Sequence, residues 1–132
     1  MIIHAVRLHP HQDLKAELDK WAKTEAVTAA CVLTCVGSLR QATLRFADQP
    51  EGTKLTGKFE IVSLTGTLSQ DGSHYHMTIA DGNGRCFGGH LLAGCPIYTT
   101  AELVLAVLPD YRFLRQLDPQ TGYDELAIEL AR

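Results

Sequence analysis

The sequence predicts an α+β domain, mainly an antiparallel sheet of about seven strands with one clear amphipathic helix and a short C-terminal helix or tail. Three observations carry that reading. Apolar residues recur at helical spacing clearly once, near the start of the chain. Most of the remaining chain breaks into β-branched or alternating runs bounded by Gly, Pro, Asp and Asn. The length of 132 residues, with no repeat, low-complexity tract or linker-like break, sets the expectation of one domain over residues 1–132.

From the N-terminus, Ile2 to Leu8 reads as a strand, broken by His9-Pro10-His11, because proline removes a donor and pushes its predecessor out of the helical region. A helix starts at Asp13, where Asp13 or Gln12 serves as cap. Leu14, Leu18, Trp21 and Ala22 form its apolar stripe, and Lys15, Glu17, Asp19, Lys20 and Lys23 cover the other face. Thr28 to Val36 is a strand ending at Gly37-Ser38, Gln41 to Ala47 alternates, and Asp48 to Gly52 is a loop by composition. Phe59 to Ser69 reads as a strand interrupted at Gly66. His74 to Leu92 reads as a hairpin around Asp81-Gly82-Asn83-Gly84. Ile97 to Leu108 and Arg112 to Leu117 are further strands, and Tyr123 to Ala131 is the terminal helix or tail.

Charge and composition exclude several classes. Twelve Lys and Arg face fifteen Asp and Glu, a formal net charge of −3, with no run of three basic residues. A phosphate backbone is held by clustered cations that release its counterions, so this balance argues against nucleic acid as the partner. No apolar run approaches the ~18 residues of a membrane span, and Met1-Ile2-Ile3-His4 lacks the basic and apolar regions of a signal peptide. Cys31 and Cys35, and Cys86 and Cys95, lack C-x-x-C spacing and lie among apolar residues and glycines. They read as reduced structural thiols, so the expected compartment is the cytoplasm.

Three of the six histidines fall on the hairpin: His74, His76 and His90. Residues two apart in a strand share a face, so His74 and His76 present adjacent imidazoles while Tyr75, Met77 and Ile79 face the core. A third imidazole from the next strand completes three nitrogen ligands, leaving the fourth position to water or substrate, as in an open zinc site. Membership of His90 depends on register. A two-residue Gly82-Asn83 turn sets His90 opposite Tyr75, on the core side. A shift by one residue, through a three-residue loop or a bulge at Gly88-Gly89, sets it opposite His76. The alternative is a solvated histidine pair with His90 hydrogen-bonded in the core.

Other candidates are weaker. Gly82 to Gly88 resembles a dinucleotide loop only superficially, since its flanks read as two strands with no helix N-terminus between them. No G-x-S-x-G elbow or phosphate-binding P-loop is present, and Ser38 and Ser73 read as turn residues. Asp71 and Asp81 read as turn residues too, and His4, His9 and His11 as exposed or structural. Arg40 and Arg45 fit either beside the histidines or in solvent.

Around the same hairpin an ordered set of motifs is familiar. Ser63-Leu64-Thr65-Gly66-Thr67-Leu68, Asp71-Gly72-Ser73-His74-Tyr75-His76, Asp81-Gly82 and Gly88-Gly89-His90-Leu91 resemble the plants-and-prokaryotes-conserved (PPC) domain. Gly37-Ser38-Leu39, Leu44-Arg45 and the tail Asp118-Pro119-Gln120-Thr121-Gly122-Tyr123 fit as well, so the resemblance runs from about Ile3 to Leu126. It implies an antiparallel sheet flanked by helices, assembly as a homotrimer, and a divalent metal such as zinc at His74, His76 and His90. Stand-alone prokaryotic members carry a provisional DNA-binding label. The Arg-Gly-Arg-Pro hook that reads the minor groove in the plant proteins is absent here, so sequence-specific DNA binding is not expected. The resulting expectation is a homotrimeric binding or interaction module with a three-histidine metal site and a small molecule or protein as partner. The alternative is a metal-dependent enzyme acting on a small molecule, with no catalytic residue assignable.

Overall fold

The structure is a computed structural model that describes residues 1–131. Strands β1 (Ile2–Leu8), β2 (Ala30–Arg45), β3 (Thr53–Ser69), β4 (Gly72–Ala80), β5 (Cys86–Leu91) and β6 (Ile97–Val107) form one antiparallel sheet. Helix α1 (Leu14–Thr24) comes after β1, and β7 (Tyr111–Leu117) and β8 (Asp124–Leu130) form a separate two-stranded ribbon. The α+β architecture, mostly antiparallel sheet with one helix, is as the sequence predicts.

The helix begins where its capping chemistry directs. The Asp13 carboxylate accepts the Ala16 N–H at 3.0 Å through one oxygen, satisfying a donor that the first turn leaves orphaned. Its other oxygen accepts the N–H groups of Gly94 at 2.8 Å and Cys95 at 2.6 Å. One side chain thus starts the helix and ties it to the loop before β6. Leu14, Leu18 and Ala22 are buried, and burying each leucine side chain contributes about 2 kcal/mol. The Asp19 carboxylate, on the flank of this helix, accepts hydrogen bonds from the Ser73 hydroxyl at 2.5 Å and the Tyr75 hydroxyl at 3.0 Å. The helix is thereby fixed on β4, with Tyr75 only 1% exposed.

The sheet order is β1-β6-β2-β3-β4-β5, and β5 also pairs with β2 through Leu44↔Leu91 and Arg45↔His90. Strands β2 to β5 therefore close on themselves as a small barrel. Closure needs strongly bent strands, and register shifts at Leu39/Gln41 and Ile61/Ser63 supply the bends, since a bulge increases local twist. Leu44, Leu64, Tyr75, Met77, Ile79 and Leu91 are buried together in the core.

Several boundaries differ from those the sequence predicts. The pair Gly37-Ser38 does not end a strand: β2 runs through it to Arg45. A Cβ on Gly37 would lie 2.1 Å from the Thr100 carbonyl oxygen, so this glycine serves close approach of two backbones. Nor does Gly66 interrupt β3, which starts six residues earlier than the pattern indicates, at Thr53. The C-terminal segment is neither helix nor tail. Its Glu, Leu and Ala favour a helix, but Leu126, Ile128 and Leu130 also alternate with period two, and pairing with β7 decides between them. The Phe113 N–H donates to the Thr28 carbonyl and the Ser69 hydroxyl donates to the Phe113 carbonyl, docking the ribbon on the sheet.

Candidate metal centre

The register question resolves in favour of the histidine cluster. Ala80 pairs with Cys86, and the Asp81 N–H donates to the Arg85 carbonyl oxygen at 2.9 Å, so the connection is the three-residue loop Gly82-Asn83-Gly84. The Asp81 carboxylate shapes this loop by accepting the N–H groups of Asn83 and Arg85, each at 2.9 Å. Those hydrogen bonds hold its carboxyl below the usual carboxylate range. The register then runs without a bulge through Gly88 and Gly89, and His90 stands directly opposite His76. On the reverse face Tyr75, Met77 and Ile79 are buried, as the alternation requires.

The three imidazoles converge. Their ligating nitrogens all lie within 4.8 Å of one another, and Nε2 of His74 is 3.1 Å from Nε2 of His76. Metal–nitrogen bonds of about 2.0–2.1 Å in tetrahedral geometry put ligand nitrogens about 3.3 Å apart. One edge of the triangle is already near that length, and the others close by side-chain rotation. The donor set fits a divalent metal: three imidazoles, no thiolate, and a face open to solvent for further ligands. Burial, then the positive charge of Arg45 and the two neighbouring histidines, pushes His90 down to about 4. Burial lowers His74 as well, with smaller contributions from His76, Arg115 and Arg45, and Glu125 opposing. Both rings are therefore neutral near pH 7, the form that coordinates a metal.

The triad forms one side of an open cavity of about 830 Å³. Thr65, opposite His76 on β3, and Ser63 add hydroxyls, while Phe46, Pro50 and Tyr123 add apolar wall. Arg45 lies opposite His90 across the β2–β5 pairing and lines the same cavity. Arg115 reaches from β7 to donate to the Thr67 hydroxyl at 3.2 Å, and Thr67 is the β3 partner of His74.

The remaining candidates lie elsewhere. His4 packs edge-on against Trp21 with ring centroids 5.5 Å apart, and Nδ1 of His11 is 2.8 Å from the Arg40 guanidinium. Ser38 pairs with Thr99, and Ser73 with Asp19; neither has a histidine as general base. The glycine-rich segment joins two strands, so the dinucleotide loop is excluded. All four cysteines are free; burial raises the Cys35 thiol to about 12 and the Cys95 thiol to about 11, as inert structural thiols require. Cys86 departs from the buried pattern and is exposed. The sequence left Arg45 undecided and set Tyr123 only in the tail; Tyr123 lines the cavity beside the ribbon, whose second strand the sequence did not predict.

Comparison with known proteins bears on this geometry. The chain is 54% identical over 127 residues to proteins named bifunctional protein GlmU from two Synechococcus strains, covering 96% of this chain and 20% of theirs. It thus spans about a fifth of the length of those relatives. A solved structure of a hypothetical protein from Salmonella cholerae-suis superposes with a TM-score of 0.95 at 41% identity, covering 98% of this chain and 94% of that one. A metal-containing protein of Archaeoglobus fulgidus superposes with a TM-score of 0.80 at 25% identity over 96% and 94% of the two chains. A protein of Bacteroides thetaiotaomicron described as a candidate DNA-binding protein shares the fold, with a TM-score of 0.83 at 22% identity over 98% and 93%. The profile of the Plants and Prokaryotes Conserved (PCC) domain, the family also abbreviated PPC, matches residues 1–109, from β1 to just beyond β6 and including all three histidines. The chain belongs to the Plants and Prokaryotes Conserved domain family.

Proposed function

We propose that this domain is a homotrimeric binding module that holds one divalent metal, zinc, on His74, His76 and His90. The observation that carries the reading is the convergence of three imidazoles beside an open cavity. The metal-containing Archaeoglobus protein supports it, because at 25% identity it shares the whole fold. Assembly is supported by exposed apolar residues on ordered strands: Leu33 and Val36 on β2, Val62 on β3, and Ile128 and Leu130 on β8. A module reading also agrees with relatives in which this segment is a fifth of a longer chain. We assign it to the cytoplasm, in keeping with four unpaired cysteines; among the described residues no helix is long and apolar enough to cross a membrane.

Sequence-specific DNA binding is left out of the proposal. The candidate DNA-binding relative resembles this chain at a level that speaks only for the fold, and the net charge of −3 lacks a cationic footprint. The second reading, a metal-dependent enzyme, is favoured by the size of the cavity. A zinc ion held by three imidazoles would acidify a bound water to a pKa of roughly 7. Nothing facing the triad is assigned as general acid or base. Light scattering across a size-exclusion peak, with zinc quantified in the same fractions, tests the proposal. Three chains with one zinc each are expected; a monomer refutes the assembly, and zinc-free fractions after zinc loading refute the metal site.

A further inference from the structure

We infer that the cavity over the histidine triad takes a small organic acid, its carboxylate or phosphate group held between the metal and the guanidinium of Arg45. The inference rests on the metal reading above and adds the class of ligand. Residues directly opposite in a strand pair point to the same face, so Arg45 and His90 emerge together, and both line the cavity. Arg45 is half-buried, yet among the described residues its side chain enters neither an ion pair nor a hydrogen bond. A guanidinium offers five donors in a planar fork that matches an oxyanion in bidentate fashion. Left unpaired and partly desolvated beside a metal site, it is a cation with its donors uncommitted.

The surrounding charges agree. Lys15 is paired with Asp19 at 2.5 Å, Arg115 lies beside His74, Glu125 opposes it, and Asp48 sits on the exposed rim. These roughly balance, but three neutral imidazoles cancel none of a divalent metal's charge. The loaded site is therefore positive where Arg45 and the metal face each other. The cavity, about 830 Å³, is far larger than a bare anion needs, and its other wall is Phe46, Pro50 and Tyr123. An anionic head with a carbon body fits both walls.

The test uses the full chain loaded with cobalt(II), whose visible absorption responds to a change of ligand. Acetate, benzoate and phenyl phosphate are titrated into wild type, Arg45→Gln and Arg45→Lys. Benzoate or phenyl phosphate is expected to shift the cobalt bands saturably and to bind more tightly than acetate. Whichever of the two binds more tightly identifies the head group. Arg45→Gln is expected to weaken that binding about ten- to hundredfold, with Arg45→Lys between, while cobalt is bound no more weakly than by wild type, because the variant removes a positive charge from beside the metal. Equal anion affinity in wild type and Arg45→Gln, or no spectral response to any anion, overturns the inference and leaves the metal reading intact. Failure of cobalt to bind overturns both.

Discussion

Replacing His76 with alanine separates a metal site from three histidines that merely lie close together. His76 is exposed, and its Nε2 lies 3.1 Å from that of His74. Its removal leaves the core untouched, because the buried neighbours Tyr75 and Met77 belong to the opposite face. The metal-free variant should match the wild type in stability to within about 0.5 kcal/mol, the usual size of a surface substitution. Its metal affinity should fall far more. Structural zinc sites bind with about 10–16 kcal/mol over four ligands, so one imidazole is worth about 3 kcal/mol, or roughly a hundredfold in affinity. Competition against a chromophoric chelator measures that loss directly. Thermal or urea unfolding supplies an independent readout. Zinc at about a hundredfold over the wild-type Kd should stabilise the wild type by about 2.7 kcal/mol, and at the same concentration the variant far less. Zinc affinity within threefold of the wild type would refute the argument that these imidazoles form one centre.

The same geometry sets other expectations. Metal-free protein should lose stability as pH falls from about 6.5 towards 4, because His90 has its ordinary value of 6.5 when unfolded and about 4 when folded. Over that window the unfolded chain binds more protons, so stability rises with pH, levels off above about 6.5 and is lost as pH falls through about 4. Urea unfolding of His90→Gln at pH 4.5 and 7 should show a shallower dependence than wild type, and an equal one would refute the assignment. Tyr75→Phe removes the hydroxyl donating to Asp19 and should cost about 1 kcal/mol in urea unfolding; no measurable loss would mean that the bond does not help hold the helix on β4. Gly66→Ala would put a Cβ 2.5 Å from the His74 carbonyl oxygen. It should cost about 1–3 kcal/mol and weaken zinc binding, and an unperturbed variant would contradict the close β3–β4 approach. Leu18→Ala should cost about 2–5 kcal/mol while sparing metal affinity in the folded protein, since it faces the core away from the triad. A matching loss of affinity would contradict that separation.

What the sequence made legible is what local chemistry controls. The alternation His74, Tyr75, His76, Met77 placed two imidazoles on one face and two core residues on the other, and burial bears this out. Asp13 was readable as a cap because capping needs only its own helix. The register of His90 stayed open because it turns on whether Asp81 pairs with Arg85, a hydrogen-bond pattern of the folded loop that composition does not encode. Closure of β5 onto β2 was invisible for a related reason: Arg45 and His90 are far apart in the chain, and only accumulated bends in long strands bring them together. The C-terminal strand was missed because Asp124 to Leu130 suits helix and strand alike, and its partner decides. Tyr123 entered the cavity by way of that strand.

Zinc K-edge X-ray absorption of the zinc-loaded protein reads out the ligands of a single three-imidazole centre. Three imidazole nitrogens at about 2.0–2.1 Å, a further light-atom ligand and no sulfur are expected. A sulfur shell at about 2.3 Å, or fewer than three imidazoles, would contradict it.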